Sequence, residues 1–156
     1  MKTGLDYFPF DVTMDERFEL IEAQFGQKGF VVMVRLWMKI YGGAGYYCEW
    51  SGDAALLFSK KIGIPVQDVA DIVSAAVKRG LFDRTLFQQA GILTSREIQT
   101  CFFEATVRRK CVEVRGEYLL LERGRLPKNV YVKDENVDIF EQSKVKESKV
   151  KESKRE

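Results

Sequence analysis

Two helical segments separated by a short turn constrain this chain more than any other feature. Ser51 caps the first, and Ala54, Leu57, Phe58 and Lys61 follow at helical spacing up to Gly63. Gly63-Ile64-Pro65 then makes a tight turn, with proline beside a helix start. Val66, Val69, Ile72, Val73 and Ala76 recur at helical intervals up to Gly80, so the second segment is amphipathic. Two helices of this size joined so closely form a helix-turn-helix.

The flanking sequence predicts what closes that pair. Thr13-Met14-Asp15-Glu16 reads as a capping box, followed by Phe18, Ile21 and Phe25 at helical spacing up to Gly26. Lys28 to Tyr41 is a longer helix, with Phe30, Val31, Val34, Trp37, Met38 and Tyr41 covering most of its circumference, and Gly42-Gly43 ends it. Tyr46 to Trp50 reads as a strand. After the helix pair, Leu81-Phe82-Asp83 and Ile92-Leu93-Thr94 are strand candidates around an excursion from Arg84 to Gly91, the pattern of a wing. Thr94-Ser95-Arg96-Glu97 opens a further helix with Ile98, Cys101, Phe102 and Ala105 on one face, and Val112 to Leu121 suggests a hairpin. The expected fold class is mainly α with a small β-sheet: a winged helix-turn-helix with additional N- and C-terminal helices.

The expected organisation has three parts. Residues 1–12 form an extended aromatic arm broken by Pro9, and residues 13–140 form the winged-helix domain, with its core in 28–121. Residues 141–156 are a repetitive charged linker or tail, built on Ser-Lys-Val-Lys-Glu. With valine as its one apolar residue type, that tail cannot bury enough surface to offset ordering, and its end inside a linker suggests a missing further domain.

Composition removes several classes of chemistry. The chain has no histidine, which takes away Ser-His-Asp and Cys-His nucleophile systems and histidine-ligated metals. Cys48, Cys101 and Cys111 are scattered and too few for a closed zinc site, as in a protein of a reducing compartment. Gly42-Gly43-Ala44-Gly45 precedes a strand and lacks the Lys-Ser/Thr of a phosphate loop. No catalytic residue, metal or cofactor is therefore expected, and the chain is not read as an enzyme. The N-terminus has no apolar signal core, and Arg35 and Lys39 interrupt the longest apolar stretch, so a cytoplasmic protein without a membrane partner is expected. The net charge of +2 comes entirely from residues 141–156, so only local clustering of cations can argue for nucleic acid.

Several stretches together resemble a known family. They are Thr3 to Pro9, Leu20 to Gly26, Gly45-Tyr46-Tyr47, Lys78 to Asp83, Gly91 to Ser95 and Arg108-Arg109-Lys110. In this order and spacing the chain resembles the N-terminal winged-helix domain of prophage-encoded, replication-initiation-like bacterial proteins, and is similar to the N-terminal domains of DnaD-like primosomal proteins. The resemblance implies a winged-helix fold, a role in phage or plasmid-type DNA replication, and self-association alongside DNA contact.

Candidate contacts follow. On the second helix of the pair, Gln67 and Ser74 are placed to meet bases, and Lys78 and Arg79 to meet phosphate. Asp68 and Asp71 oppose such contact, and acids in the first turn with bases in the last are also what the helix macrodipole favours on any surface helix. Arg108, Arg109 and Lys110, with Arg96 at the other end of their helix and Arg84 in the wing, form a second cationic set suited to phosphates. Lys28, Arg35 and Lys39 make a basic stripe along the central helix, a pattern shared with the solvated edge of a buried rod. Tyr7, Phe8 and Phe10 in the arm are candidates for a protein interface. The expected partners are DNA with weak sequence preference, replication proteins such as a helicase or helicase loader, and a second copy of the chain. The first functional reading is a DNA-binding module of a replication-initiation protein. The alternative is an interaction or oligomerisation module that does not touch DNA.

Overall fold

A computed structural model describes residues 3–134, and the tail expected at 141–156 lies outside the described residues. The chain divides into two compact units, Met1–Thr106 and Val107–Glu156. The first unit is mainly helical with a small sheet, in agreement with the fold class read from the sequence. It contains α1 (Glu16–Phe25), α2 (Gln27–Gly42), β1 (Cys48–Glu49), α3 (Gly52–Ile62), α4 (Val66–Lys78), α5 (Arg84–Ala90), β2 (Ile92–Leu93) and α6 (Arg96–Ala105).

The helix pair forms where its caps and turn dictate. Ser51 Oγ accepts from Ala54 N at 3.1 Å, and Gly63 ends α3 in the left-handed conformation. Ser59 Oγ then donates to Ile64 O at 2.6 Å, tying the turn to the helix it leaves. Val69, Ile72, Val73, Ala76 and Val77 of α4 are buried in one cluster with Ala55 and Phe58 of α3 and Val32, Met33, Leu36 and Ile40 of α2. Beside the pair, β1 and β2 make an antiparallel ribbon, with Cys48 opposite Leu93 and Glu49 opposite Ile92.

Four local expectations are corrected. The excursion expected as a wing is helix α5, because Asp83 Oδ2 accepts from Leu86 N at 2.9 Å and caps a turn whose Phe87 packs on the core. Leu81-Phe82-Asp83 accordingly forms no strand, although Asp83 N still donates to Thr94 O at 2.8 Å. On α2 the apolar face turns out rotated: Val32, Met33, Leu36 and Ile40 are buried, whereas Val31 and Met38 are exposed. The chain on both sides of α2 decides this, since α1 and α4 cover one side while the arm covers Trp37 and Tyr41. Both capping boxes shift along the chain. Asp15, not Thr13, caps α1, and Ser95, not Thr94, caps α6. Thr94 is buried and spends its hydroxyl on Tyr46 O instead, while accepting from Gln99 Nε2 at 3.1 Å.

The N-terminal arm is pinned to α2. Leu5 N donates to Tyr41 O at 2.7 Å, Phe8 stacks on Tyr41 at 4.7 Å, and Phe10 approaches Phe18, Phe30 and Trp37 edge-on or tilted. At the start of α1, Arg17 donates to Asp15 Oδ2 and to Gly80 O, each at 2.8 Å, and comes within 3.7 Å of Glu97. The hydrogen bond from Arg17 holds the Asp15 carboxyl below its ordinary 3.8. The pair therefore supports the fold fully above that value and gives up its contribution as acid protonates Asp15.

The second unit, as far as Asp134, is a short parallel pair rather than the expected hairpin. It consists of β3 (Val112–Arg115) and β4 (Val130–Lys133), with Val112 opposite Val130. Gly116 opens a 3-10 turn in place of a hairpin turn, and the connection returns through a second such turn at Arg123–Arg125. Arg123 clamps Asp134 with bonds of 2.8 and 2.6 Å, holding the end of β4 to that turn.

Candidate nucleic-acid interface

The outward face of α4 carries the residues singled out from its sequence. Gln67, Asp71, Ser74 and Lys78 lie three or four residues apart and are all exposed, as is Arg79 at the C-cap. Their partners decide what this face offers. Gln67 Nε2 donates to Asp71 Oδ1 at 3.0 Å, so its amide is already turned along the helix. Lys28 of α2 reaches Asp68 at 2.9 Å and offsets the acid in the first turn of α4. Arg79 touches Gln24 Oε1 at the long distance of 3.4 Å. The N-terminal half of the face thus keeps the negative charge of Asp71, and its cationic character is concentrated at the C-terminal end.

Arg17 brings two of the separate cations to one end of the unit. It bridges Gly80 O and Glu97, the sequence neighbours of Arg79 and Arg96. Arg79 and Arg96 are both exposed there, the latter as the first residue of α6. Arg84 is exposed in the first turn of α5, rather than on a β wing.

Helix α6 stops at Ala105, so Arg108, Arg109 and Lys110 do not extend it as expected. The Thr106 hydroxyl donates back to Phe102 O at 2.8 Å and closes the helix first. The three cations lie in the turn that opens the second unit, with Arg108 and Lys110 exposed and Arg109 half-buried. Asn129 Nδ2 donates to Arg109 O at 2.9 Å and fixes that turn to the approach of β4.

The basic stripe on α2 is divided by the fold. Lys28 pairs with α4, whereas Arg35 and Lys39 face a groove toward α3 that Lys61 also lines. The sequence placed Lys61 only in the helical spacing of α3, since nothing local tells which helix it faces. In the arm, Phe8 is half-buried and Phe10 joins the aromatic cluster described above, while Tyr7 is 85% exposed.

Two of the three thiols are held away from the thiolate form by burial. Cys48 is buried, and burial pushes its pKa up to about 12. Burial also raises Cys101, half-covered beside Tyr41. Among the described residues no cluster of three or more His, Cys, Asp or Glu is placed to hold a metal ion, and no helix is long and apolar enough to cross a membrane.

Residues 7–98 match the family model described as Lin1244/Lin1753-like, N-terminal. A Listeria innocua protein described as "Uncharacterized phage-related protein Lin1244/Lin1753" is 39% identical over 173 residues, covering 99% of this chain and 56% of that protein. The chain therefore spans about half the length of the curated relative it matches. No solved structure matches.

Proposed function

The chain belongs to the Lin1244/Lin1753-like N-terminal family, and we propose, on the arrangement of its helix pair and cations, that it is the DNA-contacting module of a phage-type replication-initiation protein, winged-helix and DnaD-like in kind. It holds duplex DNA mainly by phosphates rather than by reading bases. The observation that supports this reading is the α3–α4 pair beside its β1–β2 ribbon, which leaves the outer face of α4 uncovered and its cations gathered at one end. Gln67, held by Asp71, is poorly placed to discriminate bases, whereas Lys78, Arg79 and Arg96 suit phosphate contacts that carry no sequence information. Arg84 contributes from α5, and Arg108, Arg109 and Lys110 add a separate cationic turn in the second unit. The role is binding, not catalysis, within an assembly that includes a helicase or its loader.

Fluorescence anisotropy with a labelled duplex tests it directly. Binding is expected at about 10⁻⁴ to 10⁻⁶ M near physiological salt, the range of sequence-independent contacts, and indifferent to duplex sequence. Lys78→Ala with Arg79→Ala should weaken it several-fold and reduce the salt slope by about 1 for each phosphate no longer neutralised. The double substitution Arg108→Ala, Lys110→Ala measures the second unit's share. Binding that ignores salt and all of these changes would reject the proposal.

A second reading rests on the arm. Tyr7 is 85% exposed and Val12 fully exposed, apolar surface that suits a contact between copies. If so, light scattering on the wild-type chain finds a dimer or larger species, and Tyr7→Ser returns it to monomer without changing its melting. Deleting the arm is a poorer test, because Phe8 and Phe10 are part of the aromatic cluster. A monomer at high concentration would exclude this reading.

A further inference from the structure

We propose that the groove between α2 and α3 docks an acidic segment of a partner protein, one with apolar residues interleaved among its carboxylates. The groove encloses about 630 Å³, room for several side chains rather than a single ion. Its apolar lining includes Met38 and Leu57, which are 49% and 72% exposed. Its rim carries Arg35, Lys39 and Lys61, and no Asp or Glu lines it. Among the described residues these three cations make no ion pair, whereas Lys28 further along α2 is taken by Asp68. An apolar floor bordered by cations of one sign is complementary to a chain of the opposite sign with apolar anchors.

The floor decides between a protein and a nucleic acid. Phosphates need the cations but gain nothing from Met38 and Leu57, and bases stack on open aromatic faces. The one ring lining this groove, Phe58, is 6% exposed and belongs to the core. Exposed methionine and leucine lining one groove between two helices instead suit the apolar face of a docked amphipathic segment, with methionine adapting to the shape it meets. The groove shares none of the residues assigned above to DNA, so this inference stands apart from the proposed function.

Anisotropy titration of the full chain tests it. The probe is a labelled peptide of Glu and Asp with Leu and Phe at helical spacing. Its control is the same peptide with Ser in place of Leu and Phe. The probe should bind and the control should not. Leu57→Ser, at an exposed position, should weaken the probe about tenfold, the effect expected when one leucine side chain is no longer covered, while leaving duplex DNA affinity unchanged. Arg35→Glu with Lys39→Glu should abolish probe binding. Three results overturn the proposal: no probe binding, equal binding of the control peptide, or Leu57→Ser without effect. Loss of duplex DNA binding in Arg35→Glu, Lys39→Glu, with no effect of Leu57→Ser on either ligand, would assign the groove to nucleic acid instead.

Discussion

Gly45→Ala is expected to lower stability by about 3–5 kcal/mol, the sum of backbone strain and overpacking at one atom. Gly45 follows α2, and its N–H donates to Ile40 O at 2.8 Å, closing the helix. It sits at φ +100°, a conformation that L residues rarely adopt. A methyl group there would also land on the ring of Phe102. That ring cannot yield easily: it is 2% exposed and packed against Tyr46 and Phe103 at 5.8 and 5.7 Å between ring centroids. Gly63→Ala supplies the control. Gly63 has φ +75° with nothing within 4 Å of an added Cβ, so it bears only the conformational cost, about 1–2 kcal/mol. Since 1 kcal/mol moves Tm by roughly 4–8 °C in a domain of about 100 residues, circular dichroism melts separate the two variants. Equal melting of the two would mean that Phe102 does not cover Gly45.

Phe18→Ala is the second large effect, expected to cost about 3–5 kcal/mol. Phe18 stacks on Phe30 at 5.4 Å, meets Trp37 edge-on at 5.0 Å and is 2% exposed. It also supports the arm, since Phe10 touches it at 6.2 Å. Truncation therefore leaves a cavity under α1 and α2 and takes away part of the seat of Phe10. Phe10→Ala, at a ring already 46% exposed, is expected to lose only about 1 kcal/mol. The two substitutions should not be additive in a double-mutant cycle, because either one removes the Phe10–Phe18 pairing. Urea unfolding of the four chains measures both statements, and strict additivity would place the arm elsewhere.

What the sequence disclosed, and what it hid, divides along the range of the interactions. The α3–α4 pair was legible because Ser51, Gly63 and Pro65 are local signals and the apolar spacing of α4 is regular. Helix α5 was hidden because a capped seven-residue helix with Leu86 and Phe87 is too short for periodicity to separate it from an excursion between strands. The partner of β3 was hidden for a different reason: Val112 pairs in parallel with Val130, and no turn signature announces a parallel neighbour. On α2, apolar residues run around most of the helix, so which of them become buried depends on α1, α4 and the arm. The cations followed the same rule. Lys78 and Arg79 on α4 could be placed from spacing alone, whereas the meeting of Arg35 and Lys39 with Lys61 depends on how two helices pack. Gln99, buried and bonded to Thr94, carried no local sign of its position.

The ribbon also bears on the order of events when this chain folds. Its two strands contribute two residue pairs, yet joining them closes a loop of about forty residues, an entropic cost due before either pair exists. Helices α3 and α4 lie inside that loop and need only local contacts to begin, so they should collapse first and deliver the strands to each other. The β1–β2 ladder then acts as a latch snapped shut at the end. With both residues of β2 buried once it closes, that strand is withdrawn from neighbouring chains, while the exposed Glu49 on β1 places a charge where another strand would have to add.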